Sequence, residues 1–194
     1  MPNLLTARGL SKNYPSNSLF EGVSFNVEDG ERIGLIGPNG SGKSTLLKIL
    51  SGAVDPDEGE VVRKRGLLAG YVEQDDLFSQ EATPLSAVVS VLNEHDDSGM
   101  DPHTRASITL TKLGFTDLDR KVSTLSGGWR KRLSIAKALA QSPELLMLDE
   151  PTNHLDLEGV MWLERFVKQV SIAIVFVTHD RRFLENTATR IIEL

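Results

Sequence analysis

One stretch limits the folds open to this chain more than any other: GPNGSGKST, at residues 37–45. It follows the apolar run Arg32–Ile36 and precedes an apolar-rich segment at residues 46–50, so the order is strand, glycine-rich loop, helix. The stretch fits G-x-x-x-x-G-K-[ST], a loop whose main-chain N–H groups can all turn inward on a polyphosphate. Glycine is needed there because a side chain would fill the place of the anion, and because positive φ costs glycine little. The loop therefore predicts a site for a nucleotide phosphate chain.

Two side chains of the loop have individual roles in this prediction. Lys43 adds a full charge near the β- and γ-phosphates, and the hydroxyl of Ser44 is placed to ligate Mg²⁺. The helix that starts near Lys43 points its N-terminal amides and the positive end of its dipole at the same anion. The alternative is a glycine-rich turn that happens to precede a helix, and the flanking strand and helix argue against it. The predicted phosphate-binding residues are Gly37, Pro38, Asn39, Gly40, Ser41, Gly42, Lys43, Ser44 and Thr45.

A second feature follows a fully apolar stretch later in the chain. Residues 145–148 read as a buried strand, and Asp149 and Glu150 come directly after it. A carboxylate at a strand end is what a phosphate-loop protein uses to hold Mg²⁺, which suits Asp149. Glu150 projects elsewhere and can orient and deprotonate an attacking water. A pair of exposed acids in a strand-to-loop turn is the alternative.

Composition excludes several classes of protein. The 194 residues suffice for one domain with a substantial core, and 40% apolar and 25% charged residues are ordinary for a soluble protein. The chain has no cysteine, so it has no disulfide or thiolate chemistry, which suits a reducing cytoplasm. Neither a signal peptide nor an apolar run of the roughly 20 residues that a membrane span needs is visible. A net charge of −6 argues against broad adhesion to nucleic acid but leaves a local basic patch open.

Hydrophobic patterns predict an α/β core with a mainly parallel sheet, a small antiparallel β part near the N-terminus, and an α-helical insert from about residue 84 to 125. Two short apolar strands separated by a helix should be parallel neighbours. The predicted strands are 5–10, 23–27, 32–36, 60–63, 67–72, 145–148 and 172–177, with turns at 15–17 and 96–99, and the predicted helices after the loop helix are 84–92, 102–114, 129–140 and 157–170.

The whole chain resembles the nucleotide-binding domain of ATP-binding cassette (ABC) proteins. LSGGW at residues 125–129 resembles the family's signature motif, and NHLD at residues 153–156 resembles its D-loop. His179 resembles the switch histidine and Gln74 the Q-loop glutamine. The resemblance implies the ABC type of P-loop NTPase fold, with residues 1–194 as a single domain. Its β/α core would cover about 1–83 and 126–194, and its helical insert with the signature about 84–140.

The resemblance also implies roles for residues outside the phosphate loop. His179 would contact the γ-phosphate, and Gln74 would touch Mg²⁺ and the attacking water. The amides of Ser126, Gly127 and Gly128 would close on the γ-phosphate held by another cassette, with Asp156 nearby. The predicted catalytic residues are then Glu150, His179 and Gln74, and the predicted ligands of Mg²⁺ are Ser44, Gln74 and Asp149. The implied cofactors are ATP and Mg²⁺.

Three assignments leave alternatives open. Tyr14 stands where the family places an aromatic ring that stacks on adenine, but it could merely pack, and Phe20 is a competing aromatic. Arg63, Lys64 and Arg65 are either a solvated turn or a contact with RNA or another partner. Arg130, Lys131 and Arg132 either help hold the facing nucleotide or RNA, or form a solvated helix face.

Within the ABC family, three features resemble the ABC-F group and its Uup subgroup. These are the D-loop NHLD, the sequence THDRRFL at residues 178–184, and Trp129 at the last signature position. The resemblance implies a cytoplasmic ATPase without a membrane domain, with two cassettes in head-to-tail contact, of which this chain would be the first. A homodimer would offer the same contact. The partners that the resemblance implies are the ribosome and tRNA. The stretch between Gln74 and Leu125 is too short for the long arm that some relatives insert there. The alternatives are the ATPase subunit of an ABC transporter and a DNA-associated ATPase.

Overall fold

The computed structural model describes residues 2–14, 17–75, 77–92 and 99–194. The predicted turns at 15–17 and 96–99 lie largely outside these residues. In chain order the elements are β1 (Asn3–Tyr14), β2 (Asn17–Glu28), β3 (Arg32–Ile36), α1 (Lys43–Ser51), β4 (Glu58–Arg63), β5 (Ala69–Val72), α2 (Pro84–Val89), α3 (Pro102–Lys112), a 3₁₀ turn (Val122–Thr124), α4 (Gly127–Leu139), β6 (Leu145–Asp149), α5 (Leu157–Gln169), β7 (Ala173–Val177), α6 (Arg181–Thr187) and β8 (Arg190–Glu193).

The main sheet is parallel and carries the phosphate loop at one strand end. Its strand order is β5-β6-β7-β3-β8, and the pairings within it are parallel. The prediction that β6 and β7 are parallel neighbours is confirmed. Both strands are buried along their whole length, as expected when helices cover the two faces of a sheet.

Side chains of each strand alternate between two hydrophobic layers, because successive residues of a strand point to opposite faces. Met147 packs on the side of α1, with Leu46 and Leu50. Leu146 and Leu148 pack on the opposite side, against helices α4 and α5. Asp149 is two residues after Met147, so the alternation along β6 places it on the same face, which α1 covers.

A second, antiparallel sheet is formed by β2, β1 and β4, in that order. It confirms the predicted antiparallel part, but β1 and β2 each span 12 residues and exceed the predicted segments. Register shifts interrupt the pairing of β1 with β2, as between Ala7 and Leu10, where Gly9 has φ +57°. Such bulges break the strict alternation of apolar and polar residues, so the pattern predicted strands that are shorter than β1 and β2.

Helices α2, α3 and α4 form the predicted helical part, which packs through Val88, Leu110 and Leu133. The expected helix at 84–92 is too long, because α2 ends at Val89. The hydroxyl of Ser90 donates to the carbonyl of Ala87 at 2.9 Å, a local bond that competes with helix continuation. Among the helices of the described residues, none is long and apolar enough to cross a bilayer.

Two of the three basic residues at the end of β4 form contacts within the chain. The Arg63 guanidinium donates to the carbonyls of Ile49 and Leu50 at 3.3 and 3.1 Å, at the C-terminal end of α1. Lys64 pairs with Glu144. Of the two predictions for this run, the solvated turn therefore suits Arg65, whereas Arg63 and Lys64 are held by other parts of the chain.

Gly59 allows a close approach between β4 and β1. It has φ +82°, and a Cβ there would lie 2.3 Å from the carbonyl oxygen of Arg8 and 2.4 Å from that of Gly9. Gly66 has a similar φ of +75°, yet a Cβ there would meet nothing within 4 Å.

These two glycines separate backbone strain from steric contact. We expect Gly66→Ala to lower the free energy of unfolding by about 1 kcal/mol, through its left-handed φ alone. Gly59→Ala should lower it by about 3 kcal/mol, because the methyl group also pushes β4 away from β1. Urea denaturation of both variants measures the difference. Equal losses would show that the contact with β1 relaxes at no cost.

Candidate functional site

The loop between β3 and α1 has the backbone that its sequence predicts. Gly37, Gly40 and Gly42 have φ of +151°, +81° and +89°. A Cβ on Gly37 would lie 2.8 Å from the carbonyl oxygen of Leu194, whereas one on Gly40 would point into open space. Helix α1 begins at Lys43 with Gly42 as its N-cap. Because glycine has no side-chain oxygen, the first N–H groups of α1 are left for another acceptor.

Lys43 is buried inside the curve of this loop. Its Nζ donates to the carbonyl oxygens of Gly37 and Pro38, each at 2.9 Å. A buried ammonium group is costly unless it is hydrogen-bonded, and these two carbonyls meet that need. The cation is thereby held at the loop rather than in solvent.

The phosphate loop and the acid at the end of β6 meet in space. Ser44 Oγ donates to Asp149 Oδ1 at 2.9 Å, across 105 positions of sequence. The buried carboxylate accepts a second bond at Oδ2, from the hydroxyl of Tyr71 at 3.1 Å. Burial, together with the charge of Asp149, raises the pKa of Tyr71, so this phenol stays protonated and remains a donor.

Tyr71 is the residue that sequence reasoning missed. It lies on β5, opposite Met147 of β6 in a parallel register. A polar ring at this position of an otherwise apolar edge strand was the available signal. This signal points to Asp149 only when the neighbouring strand and its register are known.

The oxygen atoms assembled here suit Mg²⁺, a hard cation that keeps most of its water and binds one or two carboxylates plus phosphate oxygens. Within the described residues, no group of three or more His, Cys, Asp or Glu side chains could hold a metal by itself. Ser44, Asp149 and Gln74 would therefore hold the ion together with a phosphate chain. Two buried oxygens, Ser41 Oγ and Glu150 Oε2, have no partner among the described residues, which is typical of a site that takes a ligand.

Glu150 and His179 form a second pair at the same strand ends. Glu150 is only 5% exposed and has a positive φ of +45°, a strained conformation that is common at functional sites. Its Oε1 lies 3.0 Å from Nε2 of His179, whose side chain is half exposed. Burial raises the pKa of the Glu150 carboxyl above its usual range, and His179 opposes part of that rise. A carboxylate with a raised pKa accepts a proton more readily.

These groups share one cleft of about 420 Å³. Its lining residues are Tyr14, Leu19, Asn39, Gly40, Gly42, Lys43, Ser44, Thr45, Gln74, Glu150 and His179. Tyr14 is 49% exposed at the edge of the cleft, whereas Phe20 is buried in the core. Of the two aromatic candidates, Tyr14 is therefore the one available to stack on a base.

The signature residues and Asp156 are not in that lining but form a second cluster. Ser126 Oγ accepts from the amide of Trp129 at 3.5 Å, so Ser126 is the N-cap of α4. A Cβ on Gly127 would lie 2.9 Å from the carbonyl oxygen of His154. Asp156 caps α5 by accepting from the amide of Gly159 at 2.8 Å. The signature and the D-loop thus meet each other, apart from the phosphate loop of the same chain.

One of the two predictions for the basic residues after the signature is wrong for Lys131. Lys131 is 2% exposed, so a solvated helix face is wrong for this residue. Its Nζ donates to the carbonyls of Glu73 and Gln74 at 3.1 and 2.9 Å, which ties α4 to the Q-loop. The guanidinium of Arg132 lies between the rings of Trp129 and Trp162, 4.4 and 4.5 Å from their centroids.

Comparison with known proteins agrees with this geometry. A protein-family model described as ABC transporter matches residues 20–153. The chain belongs to the ATP-binding cassette family. The cassette is 40% identical to the ABC transporter ATP-binding protein YfmR of Bacillus subtilis, over 99% of this chain and 36% of that protein. It is 36% identical to the ATP-binding protein Uup of Buchnera aphidicola, over 99% and 33%, which confirms the resemblance to the Uup subgroup.

A third relative of the cassette is the energy-dependent translational throttle protein EttA of Haemophilus influenzae, 33% identical over 93% of this chain and 39% of that protein. The chain thus spans about a third of the length of these curated relatives. Among solved structures, it matches the dimeric, post-hydrolysis ATP-binding cassette MJ0796 bound to ADP and Pi. That match has a TM-score of 0.81 and 27% identity, over 98% of this chain and 94% of the other. The predicted ABC fold is confirmed.

The raised pKa of Glu150 predicts how stability depends on pH. Between the ordinary glutamate pKa of about 4.3 and the higher pKa in the folded state, the folded cassette binds more protons than the unfolded chain. Ionised Glu150 therefore destabilises the fold as the pH rises through this interval. We expect Glu150→Gln to raise the Tm by about 2 °C at pH 8, and this gain to shrink towards pH 4.

Thermal unfolding of both proteins from pH 4 to pH 8 measures this effect. Glu185→Gln is the matched control, because Glu185 is exposed on α6. A Tm difference for Glu150→Gln that stays the same at every pH would contradict the assignment to burial of the charge.

Proposed function

We propose that this cassette binds ATP with Mg²⁺ and hydrolyses the ATP, as one part of a cytoplasmic ABC-F protein. One observation carries the proposal: Ser44 Oγ lies 2.9 Å from Asp149 Oδ1. The phosphate loop and the acid of β6 therefore offer their oxygens to a single ion. Glu150 stands one residue further on, lining the cleft that contains the loop.

In this proposal each group has a defined task in the transfer of the γ-phosphoryl group to water. Bound Mg²⁺ would supply charge neutralisation at the β- and γ-phosphates. The loop amides and Lys43 bind and orient the phosphate chain. Glu150 accepts the proton of the attacking water, and His179 holds the Glu150 carboxylate at Oε1, which leaves Oε2 for that proton. Positioning and electrostatic stabilisation supply the rest of the rate enhancement.

The proposal includes a second cassette. Ser126, Gly127 and Gly128 begin a helix whose N-terminal amides can bind an anion, yet they lie outside the cleft that contains Lys43. Head-to-tail contact of two cassettes would bring each signature to the phosphate loop of the other. The dimeric state of the MJ0796 cassette supports this arrangement. A single cassette should then bind ATP and hydrolyse it slowly.

Nucleotide binding has a direct test in Lys43→Ala. We expect this change to weaken binding of a fluorescent ATP analogue in the presence of MgCl₂ by about 30-fold or more, because it removes charge-assisted hydrogen bonds to phosphate. Lys48→Ala, at the other end of the same helix, is the matched control and should bind as the unchanged protein does. Circular dichroism checks that both variants fold. Unaltered affinity in the folded Lys43→Ala variant would show that the loop does not hold the phosphates.

The finer part of the proposal is a ribosome-associated role. It is supported by the name of the relative EttA, a translational throttle protein, and by the D-loop and switch sequences that resemble the ABC-F group. A transporter subunit would need an apolar groove beside the Q-loop for a membrane partner. The groove found there, of about 320 Å³, includes the charged residues Glu73, Asp75 and Lys137 in its lining. Val72, Leu77 and Val91 line the same groove, so the ABC-F role is supported by the relative and the two sequence motifs rather than by this groove.

The full-length protein with Glu150→Gln tests this role. The change removes the proposed base, so hydrolysis should fall by about 100-fold or more and the ATP-bound, paired state should accumulate. We expect this variant to co-sediment with ribosomes in ATP but not in ADP. Glu185→Gln, which keeps the base, should co-sediment weakly. Binding to branched DNA or to a membrane partner, with none to ribosomes, would replace this role by one of the two alternatives.

A further inference from the structure

We propose that Tyr71 is a positioning residue for the magnesium carboxylate Asp149, and that its hydroxyl sets how tightly the cassette holds Mg²⁺ with nucleotide. The inference rests on the proposed function of the site. It adds a residue that lies outside the phosphate loop, the signature, the D-loop and the switch.

The fold brings the two side chains together through strand register. Tyr71 pairs with Met147 across β5 and β6, and Asp149 follows Met147 on the same face of the sheet. That face is covered by α1, whose first turn carries Ser44. Tyr71 packs at the edge of this hydrophobic layer, so its ring is held while its hydroxyl reaches the carboxylate.

The two oxygens of Asp149 have different partners, and this difference defines the role of Tyr71. Oδ1 accepts from Ser44, and Oδ2 accepts from Tyr71. If the Ser44 oxygen ligated a bound ion through a lone pair, the hydroxyl would still carry its proton, so Ser44 would go on donating to Oδ1 while Tyr71 donates to Oδ2. The bond from Tyr71 is the one of the two whose donor would not also be an ion ligand, so it would keep the carboxylate from rotating when the site takes up Mg²⁺. A preset ligand loses less conformational freedom on binding.

The test is Tyr71→Phe, which keeps the ring and removes the hydroxyl. We expect the MgCl₂ concentration that gives half-maximal binding of a fluorescent ATP analogue to rise by about threefold to tenfold. Binding of the same analogue in EDTA should not change, since the phosphate loop is untouched. The unchanged protein must respond to MgCl₂ in the same assay, and a failure there would overturn the proposed function itself. A normal response in Tyr71→Phe would overturn only this inference.

A control separates this role from general loss of stability. Thr187→Val removes another buried hydroxyl, which donates to the carbonyl of Phe183 on α6 at 2.6 Å. It should lower the Tm without changing the MgCl₂ dependence. An equal change in MgCl₂ dependence in Thr187→Val and Tyr71→Phe would assign the effect to destabilisation and overturn the inference.

A spectroscopic measurement needs no turnover. The chain has two tyrosines, Tyr14 and Tyr71, so labelling with 3-fluorotyrosine gives two ¹⁹F signals, and Tyr71→Phe assigns them. With ADP present, titration with MgCl₂ should shift the Tyr71 signal, because the carboxylate that accepts its hydrogen bond would then lie beside the ion or its water shell. This shift should be absent in Asp149→Asn. A Tyr71 signal that stays fixed while MgCl₂ and ADP bind would overturn the inference.

Discussion

The hydrogen bond between Ser44 and Asp149 is the contact on which the site depends. It joins the start of α1 to the end of β6, two elements that are distant in the chain. The parallel order of the main sheet makes the contact available, because the carboxyl ends of β3, β7 and β6 lie along one edge. Open parallel sheets bind ligands at that edge. Every proposed function of Lys43, Glu150 and His179 presupposes this one arrangement.

Buried polar groups around that edge are stabilised in different ways. Lys43 and Lys131 are each held by two main-chain carbonyls, so neither charge is left without partners. Asp149 accepts two hydroxyl groups. Glu150 is different, because one of its oxygens is buried with no partner among the described residues and its backbone is strained. An unpaired buried oxygen and backbone strain both cost free energy of folding. Their occurrence at one side chain is typical of a reactive group, which here is the proposed base.

The molecule has two helix starts for which we propose anion binding, and they do not share a cleft. One is the loop before α1, and the other is the signature at the start of α4, which packs beside the D-loop. Lys131 links the signature helix to the backbone of the Q-loop, and the Q-loop glutamine lines the nucleotide cleft. A shift of α4 would therefore move the backbone at Gln74. In the proposed pair of cassettes, α4 would carry a signature that contacts the nucleotide of the other cassette. Lys131 would then couple that contact to Gln74 in the cleft of its own cassette.

The sequence by itself determined the fold class and most of the site, because phosphate binding and parallel sheets depend on local patterns. Glycines at 37, 40 and 42 and the apolar run of β6 act over a few residues, so their roles could be predicted from the chain. Tertiary structure alone decided the lengths of β1 and β2, the burial of Lys131 and the bond from Tyr71 to Asp149. Each of these depends on the register or packing of elements that are distant in sequence. Hydrophobic periodicity reports which face of an element is buried, but not which side chain of a neighbouring element it meets.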